Sequence, residues 1–361
     1  MLIIPLIVFS IIGILFRDKK GALLSTLIAL GSCGLILLVI SMCMRFDNFN
    51  DIEYRSYYFT KIRHEDPWNE RVRRTRTVKV GKRTHVQVYY VTVHHSDSWY
   101  IYDNGGDRSS ISKEKYEELK NLWNTPMRFV DMHRHYYTIN GDAQEYDWCG
   151  ERECLRGYTE SCIYENRVKG SESVLRYREI SKEEAKDLGL KEYDINNHVL
   201  GMKLTKEERQ SLNFFNCYYG REKEIHLLLL AFPSSSGVGI VEDQKAYWQG
   251  GNKNELIVCV GLEPGTRNIK WTECFSWQDE PVLDCKIKNY LIERKYLDVN
   301  DLTLFVERNL GDWHRKEFED FNYIQTYLNH KQRVILLWII IGLTVGGGIL
   351  QTLYLKDDVR L

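Results

Sequence analysis

The chain has 361 residues, of which 27% are charged, and its formal net charge at pH 7 is −1. This near-neutral balance excludes a protein that attracts polyanions over its whole surface. The hydrophobic fraction of 43% and the small number of prolines, 6 in all, also exclude a largely disordered chain.

Three apolar runs lie at the two ends of the chain. Residues 1–16 allow about 24 Å of helix, which is short for a membrane span. Residues 21–44 and 334–355 carry no charge, and each is long enough to cross the roughly 30 Å hydrocarbon core of a bilayer. We therefore predict a hairpin of two transmembrane helices over residues 1–44 and a third transmembrane helix with a short tail over residues 333–361. A cleaved signal peptide is the alternative for the first run, although no basic residue precedes it.

The short loop between the first two runs predicts the orientation in the membrane. It contains Arg17, Lys19 and Lys20, and positive charges in short loops mark the cytoplasmic side. The polar block then lies on the extracytoplasmic side of a cell membrane. Arg45 and Arg333 flank the block and favour the opposite orientation, but long domains translocate largely regardless of charge.

Small residues recur at a spacing of four in two of these runs. Gly342 and Gly346 have the GxxxG spacing in the third run, and Ser25, Ala29 and Cys33 repeat it in the second. Small residues let helix backbones approach closely in lipid. This spacing predicts a three-helix bundle, or self-association through Gly342 and Gly346.

The polar block begins with a β-rich lobe, predicted over residues 45–172. Apolar and polar residues alternate on both sides of Gly81-Lys82, which is typical of a β-hairpin. Cations facing outward on it would bind the phosphates of nucleic acid, anionic lipid or polysaccharide. The alternative is a solvated edge that Lys and Arg protect from aggregation. The basic patch consists of Arg71, Arg73, Arg74, Arg76, Lys79, Lys82 and Arg83.

The second lobe, predicted over residues 173–332, has α/β character. Residues 226–232 and 256–262 are continuous apolar runs, typical of strands buried on both faces. A third strand is predicted over residues 268–277, and helices are predicted over residues 282–294 and from residue 300. The fold class is therefore α+β, with a β-rich lobe and an α/β lobe between membrane helices.

Capping patterns mark three further helices of the block. They are predicted over residues 112–124, 181–189 and 205–220. The last of these begins at the Thr205 and Glu208 capping box and is expected to end at Gly220.

A candidate metal site lies on a predicted strand. Asp131, His133 and His135 alternate along it, so their side chains share one face. One carboxylate and two imidazoles suit zinc or another divalent metal. The segment 64–66 and the pair His94-His95 offer further ligands. The alternative is a polar face with ordinary exposed histidines, and no HExxH spacing is present.

Residues 247–255, here called the Gly-Gly-Asn loop, precede a buried strand. The tight turn, the Tyr-Trp pair and the amide and amine donors favour binding of a ligand such as a sugar. The alternative is a loop whose tryptophan packs on the core. The candidate ligand-binding residues are Tyr247, Trp248, Gly250, Gly251, Asn252 and Lys253.

Three of the nine cysteines are close together in the sequence, namely Cys149, Cys154 and Cys162. A disulfide would form among them if the block faces an oxidising compartment. Free thiols, or a metal held by three thiolates and a fourth ligand, are the alternatives.

Some segments resemble a known family. Residues 129–133, 136–142 and 246–255 are similar to segments of an uncharacterised family of bacterial and large tailed-phage membrane proteins. This resemblance implies a prokaryotic or phage membrane protein and brings no assigned activity, cofactor or site. The strand–loop–strand arrangement of residues 226–277 is similar in topology to membrane-associated TPM-type α/β domains.

These patterns favour a binding or scaffolding module over an enzyme. We expect the β-rich lobe and the Gly-Gly-Asn loop to recognise an envelope component or a protein partner, without a cofactor. One alternative is a membrane-tethered metal-dependent hydrolase that uses Asp131, His133 and His135. The other is a cytoplasmic-facing domain whose basic hairpin binds nucleic acid, which is the less favoured partner.

Overall fold

The structure, a computed structural model, describes residues 3–16, 21–80, 83–131, 137–138, 142–171 and 177–357. Its helices are α1 (Ile3–Leu15), α2 (Ala22–Phe49), α3 (Lys113–Trp123), α4 (Lys182–Leu188), α5 (Lys206–Glu222), α6 (Ile240–Tyr247), α7 (Val282–Arg294), α8 (Val299–Arg308) and α9 (His330–Asp357). Its strands are β1 (Asn50–Glu65), β2 (Trp68–Val80), β3 (Arg83–His95), β4 (Ser98–Asp103), β5 (Arg108–Ser110), β6 (Arg128–Asp131), β7 (Tyr137–Thr138), β8 (Asp142–Asp147), β9 (Gly157–Glu165), β10 (Val199–Leu200), β11 (His226–Pro233), β12 (Glu255–Leu262) and β13 (Ile269–Ser276). Short 3₁₀ helices are Arg152–Cys154, Ser234–Ser236, Leu310–Asp312 and Glu319–Phe321.

The chain divides into two compact units, and each is assembled from separate stretches. The helical unit comprises Met1–Ile52, Ile163–Arg178 and Glu317–Leu361, and the α+β unit comprises Glu53–Cys162 and Glu179–Lys316. The predicted division into lobes at residues 172 and 173 falls outside the described residues and stays a prediction.

Two helices of the helical unit are long and apolar enough to cross a membrane. They are α2 and α9, whereas α1 is shorter than a typical span. The helix α2 continues past the predicted end at Met44 to Phe49, so the charged Arg45 and Asp47 belong to its last turns. The three predicted helices are thus present, and the length of two of them supports membrane association.

The helices α1 and α9 pack together through a pair of glycines that the GxxxG spacing did not single out. A Cβ atom at Gly347 would lie 2.9 Å from the Phe9 ring, and one at Gly348 would lie 3.2 Å from α1. Among the described residues, no atom lies within 4 Å of the Cβ positions of Gly342 and Gly346. Self-association through the latter pair stays a prediction.

The α+β unit has a mainly antiparallel sheet in the order β5-β4-β1-β8-β6, with β9 also paired to β1. Helix α3 packs on this sheet through residues at helical spacing, since Tyr116, Leu119 and Trp123 are all buried against Ile62 and Ile101. Ser112 begins the helix as predicted, because its hydroxyl accepts a hydrogen bond from the Lys115 amide.

A second sheet has the order β10-β11-β12-β13, with β10, β11 and β12 parallel and β13 antiparallel. Odd-numbered residues of β11, such as Leu227 and Leu229, join one core cluster, and even-numbered ones, such as Leu228 and Leu230, join another. Both faces are therefore covered, which explains why β11 and β12 carry no charged or polar side chain after their first residues, His226 and Glu255. The mixed α+β architecture is confirmed.

One predicted helix end is wrong. Helix α5 does not end at Gly220 but runs to Glu222. Gly220 instead lies where the helix meets β1, since a Cβ atom there would lie 3.0 Å from the Ser56 carbonyl oxygen. The glycine thus allows close packing and is not a terminator. The predicted capping box of Thr205 and Glu208 is confirmed.

Candidate functional site

The hairpin formed by β2 and β3 is a long two-stranded ribbon. Its paired positions run from Trp68 opposite His95 to Val80 opposite Arg83, a length of roughly 40 Å. At the base, β7 adds two pairs to β2. The predicted hairpin is therefore present, although the two turn residues, including Lys82, lie outside the described residues. The side chain of Arg83 also lies outside the described part.

The register of the ribbon decides which side chains share a face. Directly paired residues lie on the same face, so Arg73 neighbours Tyr90, Thr75 neighbours Val88, and Thr77 neighbours Val86. Near the tip, the apolar residues of the two strands therefore point to opposite faces. Each face mixes polar or charged groups with apolar ones. One of them, here called the Arg71 face, includes Arg71, Arg73, Thr75, Thr77, Lys79, Val86, Val88 and Tyr90.

Large apolar side chains are exposed on this ribbon. Val86 is 68% exposed, Tyr90 is 55% exposed and Val88 is 41% exposed, all on the Arg71 face. The Arg71 guanidinium lies over the Tyr90 ring at 4.7 Å from its centroid. Exposed apolar side chains beside cations make this face a candidate interaction surface, and the alternative of a solvated edge stays open.

The cations of the hairpin have no anionic partner within the described residues. The two strands contain a single carboxylate, that of Glu70, which lies 3.2 Å from His95. Among the described side chains, no ion pair joins a carboxylate to any of Arg71, Arg73, Arg74, Arg76 and Lys79. Their positive charge is therefore available to an external anion.

The predicted metal set cannot be placed. His133 and His135 lie outside the described residues, and of Asp131 only the backbone, at the end of β6, is described. The metal expectation for these three residues stays a prediction.

His64, which the sequence offered as a further ligand, lies between two carboxylates. Its Nε2 is 2.8 Å from Asp97 and its Nδ1 is 3.6 Å from Asp66. The ring also stacks on Trp99, with centroids 5.3 Å apart. Only the Nε2 contact with Asp97 has the length of a hydrogen bond. The ligand atoms of His64, Asp66 and Asp97 lie within 4.8 Å of one another, a spacing that a metal ion could bridge.

The Gly-Gly-Asn loop forms a tight turn, as predicted, with positive φ at Gly250 and Gly251. Its polar groups, however, bond inside the α+β unit. The Trp248 indole donates to the Lys191 carbonyl oxygen at 2.9 Å, and the Trp277 indole donates to the two glycine carbonyls at 2.9 and 3.0 Å. Trp248 thus packs internally, which is the alternative that the sequence left open.

The rest of this loop is also tied to the protein interior. Lys253 is only 1% exposed. The side-chain amide of Asn252 donates to Glu255 at 2.7 Å, and the Asn252 backbone amide donates to the same carboxylate at 2.8 Å. Tyr247 packs against the core cluster beneath α6. Ligand binding by this loop stays a prediction.

A buried polar chain links the loop to two histidines that lie far apart in the sequence. The Tyr193 hydroxyl donates to Glu255 Oε1 at 2.7 Å and lies 3.4 Å from His226 Nδ1. The Nε2 of His226 lies 3.0 Å from Nδ1 of His198. Sequence analysis missed this chain, because its members come from three separate segments.

Burial determines the charge of these groups. It lowers the pKa of His198 to about 4 and that of His226 well below the usual range, so both imidazoles are neutral at pH 7. Burial, together with the nearby Glu255, raises the pKa of Tyr193 well above its usual range. Burial also raises the pKa of Glu255.

The cysteine cluster divides into two parts. All nine cysteines are free thiols. The ligand atoms of Cys149, Glu151 and Cys154 lie within 4.8 Å of one another, whereas Cys162 lies apart on β9, 3.7 Å from Glu160. Burial and the neighbouring Cys149 raise the pKa of Cys154 to about 11, which disfavours the thiolate that a metal needs.

Comparisons of the chain with family models, with curated proteins and with solved structures find no match. The family and domain resemblances drawn from the sequence therefore stay predictions.

Proposed function

We propose that the protein is a three-helix membrane protein whose α+β unit is an extracytoplasmic binding module. Its hairpin docks onto anionic lipid headgroups of the envelope. The observation that carries the proposal is the Arg71 face, where cations without an anionic partner in the described residues lie beside exposed valines and a tyrosine.

The composition of this face favours a lipid surface over a soluble polyanion. Cations attract anionic headgroups, each contributing about 1 kcal/mol near such a membrane. Valine and tyrosine side chains gain stability at the boundary of the acyl chains. A polysaccharide or nucleic acid would use the cations of Arg71 and Arg73 but would leave Val86 and Val88 in water.

Removing two cations from the Arg71 face should weaken vesicle binding strongly. The full-length chain in neutral-lipid nanodiscs is mixed with vesicles containing phosphatidylglycerol, and the bound fraction is measured by flotation. Arg71→Gln/Arg73→Gln should raise the apparent Kd roughly thirtyfold, because two headgroup contacts worth about 1 kcal/mol each are lost. Added salt should have the same effect on the wild type.

Matched variants test whether binding depends on the hairpin or only on the total charge, and whether the partner is a lipid surface or a soluble polymer. Lys182→Gln/Lys186→Gln removes the same charge from the exposed helix α4 and should change the Kd little. Val86→Ser/Val88→Ser should weaken binding to vesicles and leave binding to soluble DNA or heparin unchanged. Equal binding to neutral vesicles, or tighter binding to the soluble polymers than to vesicles, would refute the lipid assignment.

The proposed orientation has its own test. Cys285 on α7 is exposed, so a membrane-impermeant maleimide should label it in intact cells that express the chain. The reagent is used on a variant whose other cysteines outside α2 are replaced by serine. A further Cys285→Ser change should abolish the signal. Labelling only after the cells are lysed would place the α+β unit in the cytoplasm and overturn the envelope partner.

A further inference from the structure

A second candidate site lies in the α+β unit, away from the hairpin. A cavity of about 640 Å³ lies beside helix α5, and a neighbouring one of about 360 Å³ shares four lining residues with it. A cavity of this size holds a small organic ligand. The shared lining residues are Asn196, His198, Arg209 and Asn213.

One face of α5 supplies the charge of this cavity. Lys206, Arg209, Gln210 and Asn213 recur at helical spacing and all line it. The side chains of Lys206, Arg209 and Asn213 are exposed and have no hydrogen bond or ion pair to a described residue. These two cations and this amide are therefore available to a ligand.

The other two cations of the cavity are already bound within the protein. Arg152 donates to Glu307 at 2.7 Å. Arg156 donates to the carbonyl oxygens of Glu153 and Leu155 at 3.0 and 2.8 Å. The charge of Arg152 is compensated by Glu307, and the carboxylate Glu153 also lines the cavity. The four lining cations still outnumber that carboxylate, so the cavity favours an anion.

The buried polar chain ends in this cavity and sets the hydrogen-bonding role of His198. Tyr193 has one hydroxyl proton and gives it to Glu255, so its oxygen accepts from His226 Nδ1. A neutral imidazole carries one N–H, so His226 Nε2 accepts from His198 Nδ1. The remaining nitrogen of His198, Nε2, is then an acceptor with no hydrogen bond to a described residue.

We propose that the cavity binds a phosphorylated sugar or polyol, whose phosphate is held by Lys206 and Arg209 and one of whose hydroxyls donates to Nε2 of His198. A phosphate needs charged donors, which α5 provides. A hydroxyl needs an acceptor, which a neutral buried histidine provides. The site thus recognises a ligand that carries both groups, and it is independent of the hairpin and of its lipid partner.

The test is calorimetric titration of the full-length protein in detergent with three probes. Glucose 6-phosphate has both groups, methyl phosphate has the phosphate monoester without a hydroxyl, and glucose has hydroxyls without a phosphate. Glucose 6-phosphate should bind about fivefold more tightly than methyl phosphate, since a hydrogen bond worth about 1 kcal/mol is lost with the latter. Glucose should give no measurable heat.

Variants decide whether the binding belongs to this cavity. Arg209→Gln should raise the Kd for glucose 6-phosphate by at least about tenfold, because a charged hydrogen bond is lost. Arg308→Gln removes an exposed cation at the end of α8 and should leave the Kd unchanged. The proposal is overturned if the two variants behave alike, if Arg209→Gln has no effect, or if methyl phosphate binds as tightly as glucose 6-phosphate. Absence of binding by glucose 6-phosphate at a concentration of about 10 mM also overturns it.

Discussion

Replacing Gly201 by alanine should lower the free energy of unfolding of the α+β unit by about 4 kcal/mol, from backbone strain and overpacking together. Gly201 follows β10 and has a φ of +92°, a conformation that L side chains rarely adopt. A Cβ atom there would lie 2.0 Å from the Ala231 carbonyl oxygen on β11. Because that oxygen belongs to the backbone, the substitution must move β10 away from its neighbour.

A second glycine provides the control for this variant. Gly189 ends α4 with a φ of +72°, but no atom of the described part of the chain lies within 4 Å of its Cβ position. Gly189→Ala should therefore cost only the strain of the left-handed backbone, about 1–2 kcal/mol. Urea unfolding followed by tryptophan fluorescence measures both, since all tryptophans except Trp338 lie in the α+β unit. Equal costs for the two variants would show that the contact with Ala231 is absent.

Replacing Arg315 by methionine should lower the free energy of unfolding by about 3 kcal/mol, because the change removes one of the two arginines that contact a buried carboxylate. Glu53 is fully buried and Arg315 is 6% exposed, and their side chains are 3.1 Å apart. Glu53 keeps a contact with Arg55, whose Nε lies 2.5 Å away. This remaining contact places the expected cost at the lower end of the usual range.

Removing the buried charge as well should recover much of this loss. In Glu53→Gln/Arg315→Met no carboxylate is left to desolvate, so the double variant should be more stable than Arg315→Met alone. Urea unfolding followed by tryptophan fluorescence gives the free energy of unfolding of the wild type, of both single variants and of the double variant. Additive effects of the two substitutions would show that Glu53 and Arg315 do not interact.

The strands of the second sheet were predictable because both of their faces are buried. Leu227 through Ala231 are apolar without interruption, and such a run has few alternatives to a doubly covered strand. The helix over Val282–Arg294 also has its predicted bounds. Its ends are defined locally, because Pro281 precedes it and Lys295, in the left-handed backbone conformation, follows it.

The sites were less predictable, because spatial neighbours there are distant in the chain. The alternation around the hairpin turn predicted two strands but not which side chains share a face. Pairing across the two-residue turn joins odd-numbered residues of β2 with even-numbered residues of β3, so Val86 lies beside Thr77. His198, His226 and Glu255 meet only because β10, β11 and β12 are neighbours. The signal in the sequence that could have found this chain is the presence of His226 and Glu255 at the first positions of two otherwise apolar strands. In the Gly-Gly-Asn loop the sequence did not show that the Trp248 and Asn252 donors bond within the α+β unit, and ligand binding there stays a prediction.

The contact between Gln351 and Thr26 has a consequence for the order of synthesis. The Thr26 hydroxyl donates to the Ala22 carbonyl oxygen within its own helix and accepts from the Gln351 amide at 2.8 Å, across 325 residues of chain. The Thr26 hydroxyl is therefore already hydrogen-bonded within α2 when that helix is made, which is what a bilayer interior requires of a polar group. Gln351 is synthesised 325 residues later, so its amide can join α9 to α2 only after the α+β unit between them has been made.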